Sequence, residues 1–271
     1  MSDLSDVSKT VAANQTVAPA NDLRRYTPAR IALQRTGSSI ATNDALAFTL
    51  AQAQARDAVH ARLSAASLLE EVAKRGLKGI RVRSAAPDRA TYLRRPDLGR
   101  TLSEASMAAL QLRNSPVPEE DGRARLTIIL ADGLSALATE RHAVAVLDAL
   151  LPLVEARWRL TEIVVAEQAR VALGDEIAQV LGAEALVVLI GERPGLSAAD
   201  SLGAYITWKP RQGRTNAERN CISNIRAEGL SPVDAAARIA YYLQAAKELG
   251  MSGIALKDPE ERARLVGQTG E

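Results

Sequence analysis

Three short stretches of the chain gather side chains that could do chemistry. Asp132-Gly-Leu-Ser135 puts a carboxylate and a hydroxyl where an apolar run gives way to a helical pattern. The N–H groups at such a helix start suit an anion or phosphate, and Ser135 equally suits a plain helix cap. With His142, these residues supply the letters of a hydrolase triad, but His142 falls in mid-helix, a turn or more past Ser135. Glu192-Arg-Pro-Gly195 follows another apolar run and turns sharply. It either closes a strand with an ion pair or holds a carboxylate at the rim of a ligand cleft. Arg219-Asn-Cys-Ile-Ser-Asn224 is dense in hydrogen-bonding groups, fit for a ligand rich in amides or for a loop tied to itself. Cys221 has no identifiable base beside it, which disfavours a nucleophilic role.

Other chemistries are excluded by composition. Cys221 is the single cysteine, so there is no intrachain disulfide framework and no cysteine-cluster zinc site. Two histidines, His60 and His142, leave little for histidine-based metal catalysis. No G-x-G-x-x-G string occurs, since Asp132-Gly-Leu-Ser carries only Gly133, and this disfavours a stand-alone nicotinamide-dependent oxidoreductase. Lys+Arg 34 against Asp+Glu 32 gives a net charge of +2, and aromatics are 3%; neither is the footprint of a nucleic-acid binder. The basic run from Lys74 to Arg100, with Tyr92 its one aromatic, reads as a solvated or protein-facing surface. No apolar run reaches the roughly 18 residues of a membrane span, and no secretory signal is apparent, which predicts a cytoplasmic protein.

The elements that would position these residues follow from periodicity. Residues 1–27 are polar and read as a flexible tail, or as a short helix that directs the chain to a partner or shell. Residues 28–118 read as a smaller, mainly helical N-terminal domain. Its helix runs from Asn43 to about Arg75 with Val59, Leu63, Ala66 and Leu69 on the buried face, and a shorter helix covers 102–112. The Pro- and acid-rich stretch 114–122 reads as a linker. Residues 119–271 change rhythm: apolar strands at 126–131, 161–166, 185–190 and 203–208 alternate with helices to about Val154, over 171–181, and from Ser231-Pro232 to Gly250. Ala237, Tyr241, Ala245 and Leu249 are expected to line the buried side of the last helix. Apolar strands without internal alternation predict a parallel sheet covered on both faces, an α/β Rossmann-like fold. Ligands of such sheets bind beyond the strands' carboxyl ends, which singles out 132–135, 167–171 and 191–195. Asp132, Ser135, Arg193, Asp200 and Asn220 are candidates by this placement alone.

Longer strings carry a family resemblance. Arg30-Ile-Ala-Leu-Gln-Arg-Thr-Gly37, Gln54-Ala-Arg-Asp-Ala-Val-His60, Tyr92-Leu-Arg-Arg-Pro-Asp-Leu-Gly-Arg100, Ala131-Asp-Gly-Leu-Ser-Ala136, Leu189-Ile-Gly-Glu-Arg-Pro-Gly-Leu196, Asp200-Ser-Leu-Gly203 and Arg219-Asn-Cys-Ile-Ser-Asn-Ile-Arg226 resemble the small (light) subunit of ethanolamine ammonia-lyase. The match runs from about residue 28 to the last helix. It implies an adenosylcobalamin-dependent radical enzyme that converts ethanolamine to acetaldehyde and ammonia. It further implies a large subunit carrying the substrate site, a cobalamin site closed by the small subunit, equal numbers of both chains, and an ethanolamine-utilisation microcompartment. The family's small-subunit cobalamin contacts resemble Val171, Glu192 and Cys221, with Cys221 on the corrin or tail side. The absence of Asp-x-His-x-x-Gly implies that the cobalt keeps its own dimethylbenzimidazole ligand. A non-catalytic microcompartment scaffold is a further alternative.

Overall fold

The computed structural model describes Tyr26, residues 29–31, residue 33, residues 35–113 and residues 122–257. The tail 1–27, apart from Tyr26, and nearly all of the expected linker lie outside the described residues. In chain order come β1 (Arg35–Thr36), β2 (Ser39–Ile40), α1 (Thr42–His60), α2 (Ala65–Lys74), β3 (Gly79–Arg83), α3 (Arg89–Arg94) and α4 (Glu104–Arg113). There follow β4 (Ala124–Ala131), α5 (Ala136–Ala138), α6 (Val144–Val154), β5 (Trp158–Leu160), β6 (Ile163–Glu167), α7 (Leu173–Val180), β7 (Ala185–Gly191), β8 (Leu202–Trp208), β9 (Asn220–Ile225) and α8 (Pro232–Leu249). A π-helical turn over Thr139–Ala143 joins α5 to α6.

Two compact units are distinguished, residues 1–51 and 52–271. In the first, β1 and β2 pair as an antiparallel hairpin around Gly37, whose φ of +62° suits glycine, and the Arg30 guanidinium lies 5.8 Å from the centre of the Phe48 ring. The second is built on a seven-stranded sheet of order β3-β6-β4-β7-β8-β9, with β5 beside the start of β4. The strands β3, β6, β4 and β7 run parallel.

Alternate residues of each central strand enter opposite cores. Leu126, Ile128 and Leu130 of β4 join Leu68, Val72, Leu147, Leu150, Ile239 and Leu243 from α2, α6 and α8. Ile129 and Ala131 join Leu110, Leu173 and Ile177 from α4 and α7 on the other face. Each such side chain, fully buried, contributes about 1.5–3 kcal/mol, and burial on both faces is why these strands read as unbroken apolar runs. The Rossmann-like α/β expectation therefore stands.

Several details differ from the expectation. Gly79–Arg83, within the stretch read as mainly helical, is a strand of the main sheet, paired with β6. Only Ile80 and Val82 of that edge strand point inward while Arg81 and Arg83 face out, and its charge conceals it in sequence. The expected 43–75 helix is broken at 61–64, which shifts the buried stripe to Ala58, Leu63, Ala65, Leu68 and Val72. Arg219–Asn224 is not a loop: most of it forms β9, antiparallel to β8, itself antiparallel to β7. On α8, Ala245 is buried as expected, but Ala237 and Leu249 are exposed and Ala235, Ile239, Tyr242 and Leu243 are buried instead. Its ends are as expected, with the Ser231 hydroxyl accepting from Asp234 N, Pro232 in the first turn, and Gly250 left-handed.

Candidate functional site

The carboxyl ends of β6, β4 and β7 meet at one rim, and β8 begins there because it runs the other way. A cavity of about 410 Å³ opens at this rim, lined by Tyr92, Gly133, Leu134, Arg170, Val171, Ile190, Gly191, Glu192, Arg193 and Tyr205. Two glycines let its floor close. A Cβ on Gly133, which has φ +54°, would lie 2.2 Å from Gly191 O, and one on Gly191 would lie 1.9 Å from Ser135 O. Leu134 N donates to Gly191 O at 2.9 Å across the same approach.

Val171 and Glu192 thus line one cavity. Cys221 is exposed on β9, outside the lining but directly opposite Tyr205 in the β8–β9 register. Partial desolvation pushes its thiol pKa up, the neighbouring Tyr205 phenol opposes this, and the charge of Glu192 adds to the rise. Tyr205 therefore lines the cavity with Val171 and Glu192 and stands opposite Cys221 in the strand pair.

Glu192 is held from three sides. Its carboxylate accepts from the hydroxyls of Ser201 and Ser223 and, at 3.2 Å, from Asn224 N. The partners come from the start of β8 and the end of β9, and Gly203 gives room, since a Cβ there would touch Glu192 Oε1 at 3.0 Å. With three donors in place, a carboxylate of about four acceptor positions keeps little capacity beyond one more donor.

Asp132 lies beneath the rim rather than in the cavity. Its carboxylate accepts from Gln168 N (2.8 Å), Ala169 N (3.0 Å) and Arg89 Nη1 (3.2 Å), and its side chain is only 4% exposed. Burial pushes its pKa up to about 6, against the opposing pull of Arg89 and the backbone N–H groups. It anchors the β6–α7 loop, in which Gln168 takes the unusual φ of +54°. Arg89 also donates to Gly133 O (2.9 Å) and Val59 O (2.8 Å), tying three segments together.

The other rim candidates divide by contact. Ser135 is a structural cap, accepting from Ala138 N and donating to Ala199 O at 2.8 Å. Asn220 clamps the segment after α8 through Gly253 and Leu256, away from the cavity. Asp200 pairs with Arg141 at 2.8 Å and lies 3.4 Å from His142; desolvation raises its pKa, but these two partners outweigh it and hold it below the ordinary range. His142 sits in the π-helical turn against Asp200, so no hydrolase triad forms with Ser135. Arg193 lines the cavity and is exposed.

Sequence reasoning picked the segments that hold Arg170 and Ser223 without naming either residue, and missed Tyr92, Tyr205 and Ser201. Tyr92 is fully buried, donates to Ala169 O at 3.0 Å, and carries the guanidiniums of Arg89 and Arg170 at 4.8 and 4.5 Å from its ring centre. Its place in the 92–100 string was the available signal. Among the described residues, no cluster of His, Cys, Asp and Glu could hold a metal ion, and no helix is long and apolar enough to cross a membrane.

Comparison with known proteins agrees with the resemblance in the strings. The family described as ethanolamine ammonia-lyase light chain (EutC) matches residues 17–257. A protein of Azotobacter vinelandii named ethanolamine ammonia-lyase small subunit is 53% identical over 250 residues, covering 92% of each chain. Proteins of the same name from Pseudomonas fluorescens (51% over 241 residues, 89% of this chain and 86% of that one) and Bradyrhizobium diazoefficiens (51% over 243 residues, 89% and 90%) are similar throughout.

Proposed function

The chain belongs to the ethanolamine ammonia-lyase small-subunit family, part of a lyase system, and from this we propose that its rim cavity is one half of an adenosylcobalamin site completed by the large subunit. The observation that carries the reading is the convergence of Val171, Glu192 and, through Tyr205, Cys221 on one cavity. Strand order and family resemblance single out Val171 and Glu192 independently.

The residues fit the group. A corrinoid is broad and mostly apolar, edged by amide arms, with one phosphodiester. The cavity offers apolar walls in Leu134, Val171 and Ile190, a backbone floor at Gly133 and Gly191, one carboxylate acceptor and two arginines. At about 410 Å³ it is the size of a pocket for a much smaller ligand, so it would take one edge of the ring and leave the rest to a partner. Bound adenosylcobalamin would supply the homolysable cobalt–carbon bond, and hence the radical, that starts deamination of ethanolamine to acetaldehyde. This chain's part is to bind and orient. Glu192, fixed by Ser201, Ser223 and Asn224 N, would accept from an amide N–H without having to reorganise. Val171 would give an apolar wall, and Cys221 would border the site behind Tyr205, away from the substrate carbon. The chemistry at the substrate, equal numbers of both chains, and residence in an ethanolamine-utilisation microcompartment complete the proposal.

The test is reconstitution with the large subunit. Ethanolamine turnover and retention of cobalamin on gel filtration should both require the two chains together. Glu192→Ala should weaken cobalamin retention in the assembled complex. Retention unchanged by Glu192→Ala, or full turnover by the large subunit alone, would overturn the reading. A native mass other than equal numbers of chains would overturn the stoichiometry, and failure to co-fractionate with microcompartment shells would overturn the location.

A further inference from the structure

Resting on the cobalamin reading, we propose that Arg170 is the receptor for the ligand's single anion, the phosphodiester of its nucleotide arm. The cavity holds two guanidiniums without a carboxylate partner. Arg89 has Asp132, but Arg170, on the same Tyr92 ring, meets no acidic side chain among the described residues. Its one bond is a long contact from Nη2 to Tyr92 O at 3.5 Å, and its buried Nε has no acceptor. Leaving a buried donor unmade is costly, and more so for a charged group. Arg193, also lining the cavity, likewise makes no ion pair among the described residues, while Glu192 is turned to Ser201, Ser223 and Asn224 N. The cavity therefore presents more positive charge than it neutralises.

Arg170 is also held in place before any ligand arrives. Its backbone N–H donates to Gly99 O at 2.8 Å. Gly99 leaves space for its stem, because a Cβ there would lie 3.0 Å from Arg170 Cγ and 2.9 Å from the Tyr92 ring. Tyr92 is in turn fixed by its bond to Ala169 O. A planar fork stacked on a buried ring has lost most of its freedom already and is matched to the two oxygens of a phosphodiester. A lysine at this position would supply charge without the fork.

The test compares cobalamin with cobinamide, the corrin that lacks phosphate and base, by absorbance titration of the complex assembled with the large subunit. Arg170→Gln should weaken cobalamin about 10- to 100-fold and leave cobinamide within about twofold. Arg170→Lys should fall between. Co-purification with the large subunit and far-UV circular dichroism check that the variants fold and assemble. Equal weakening of both corrinoids would mean that Arg170 serves the ring or the fold, and no weakening of either would mean no contact; each overturns the phosphate assignment while the cobalamin reading stands. Wild-type complex that binds neither corrinoid would overturn the reading itself and this assignment with it.

Discussion

Asp132→Asn tests the electrostatics under the rim. Burial lifts the Asp132 carboxyl from 3.8 to about 6 in the folded chain, with Arg89 and the N–H groups of Gln168 and Ala169 limiting the rise. At about 1.36 kcal/mol per pKa unit, keeping this group ionised in place costs the fold about 3 kcal/mol. Below the unfolded value the group is protonated in both states. Between that value and about 6 the unfolded chain releases its proton first, so this contribution to stability is lost as pH rises. Above about 6 the loss is complete. Asparagine does not titrate, and the other carboxylates are common to both proteins. The difference in unfolding free energy, wild type minus Asp132→Asn, should therefore fall by about 2.4 kcal/mol from pH 4 to pH 7, the rest of the loss lying below pH 4. Urea denaturation followed by circular dichroism at several pH values measures it. A difference that stays constant within about 1 kcal/mol, or that grows with pH, refutes the buried-carboxylate argument.

Four further outcomes follow from particular contacts. Gly191→Ala should abolish soluble expression or lower the melting temperature sharply, because its Cβ would lie 1.9 Å from Ser135 O and 2.6 Å from Asp132 O, both backbone atoms. Arg219→Met should destabilise by about 3–5 kcal/mol in denaturant titrations, since Arg219 and Asp175 form a two-pronged pair with side chains 1% and 2% exposed; adding Asp175→Leu should recover much of the loss. Tyr205→Phe should slow alkylation of Cys221 by iodoacetamide, because the neighbouring phenol lowers the thiol pKa against the burial that raises it, whereas Cys221→Ser should preserve ethanolamine turnover in the reconstituted enzyme.

The central architecture was legible because its signals are local. Ala185–Ile190 is apolar at every position and Leu126–Ala131 at all but Thr127, and only a strand covered twice accommodates that. Ser231-Pro232 and Gly250 mark the ends of α8 by their own backbone chemistry. The β3 strand was illegible because an edge needs only two inward residues, Ile80 and Val82, among basic ones. The β9 strand was illegible because Cys221, Ser223 and Asn224 are polar and exposed. The stripe over 59–69 slipped because one short break at 61–64 resets helical phase.

The same division runs through the site. Sequence alone determined which rim segments could carry ligand contacts, and its long strings determined the family, since strand order and residue identity are properties of the chain read along its length. Tertiary structure decided what those residues touch: Glu192 meets Ser201 and Ser223 only because β8 and β9 fold back antiparallel beside β7. Likewise Arg170 shares the Tyr92 ring with Arg89 only because the 92–100 segment packs against the β6–α7 loop. Periodicity reports how each element faces its core, whereas bonds between elements depend on crossings and registers that no local pattern encodes.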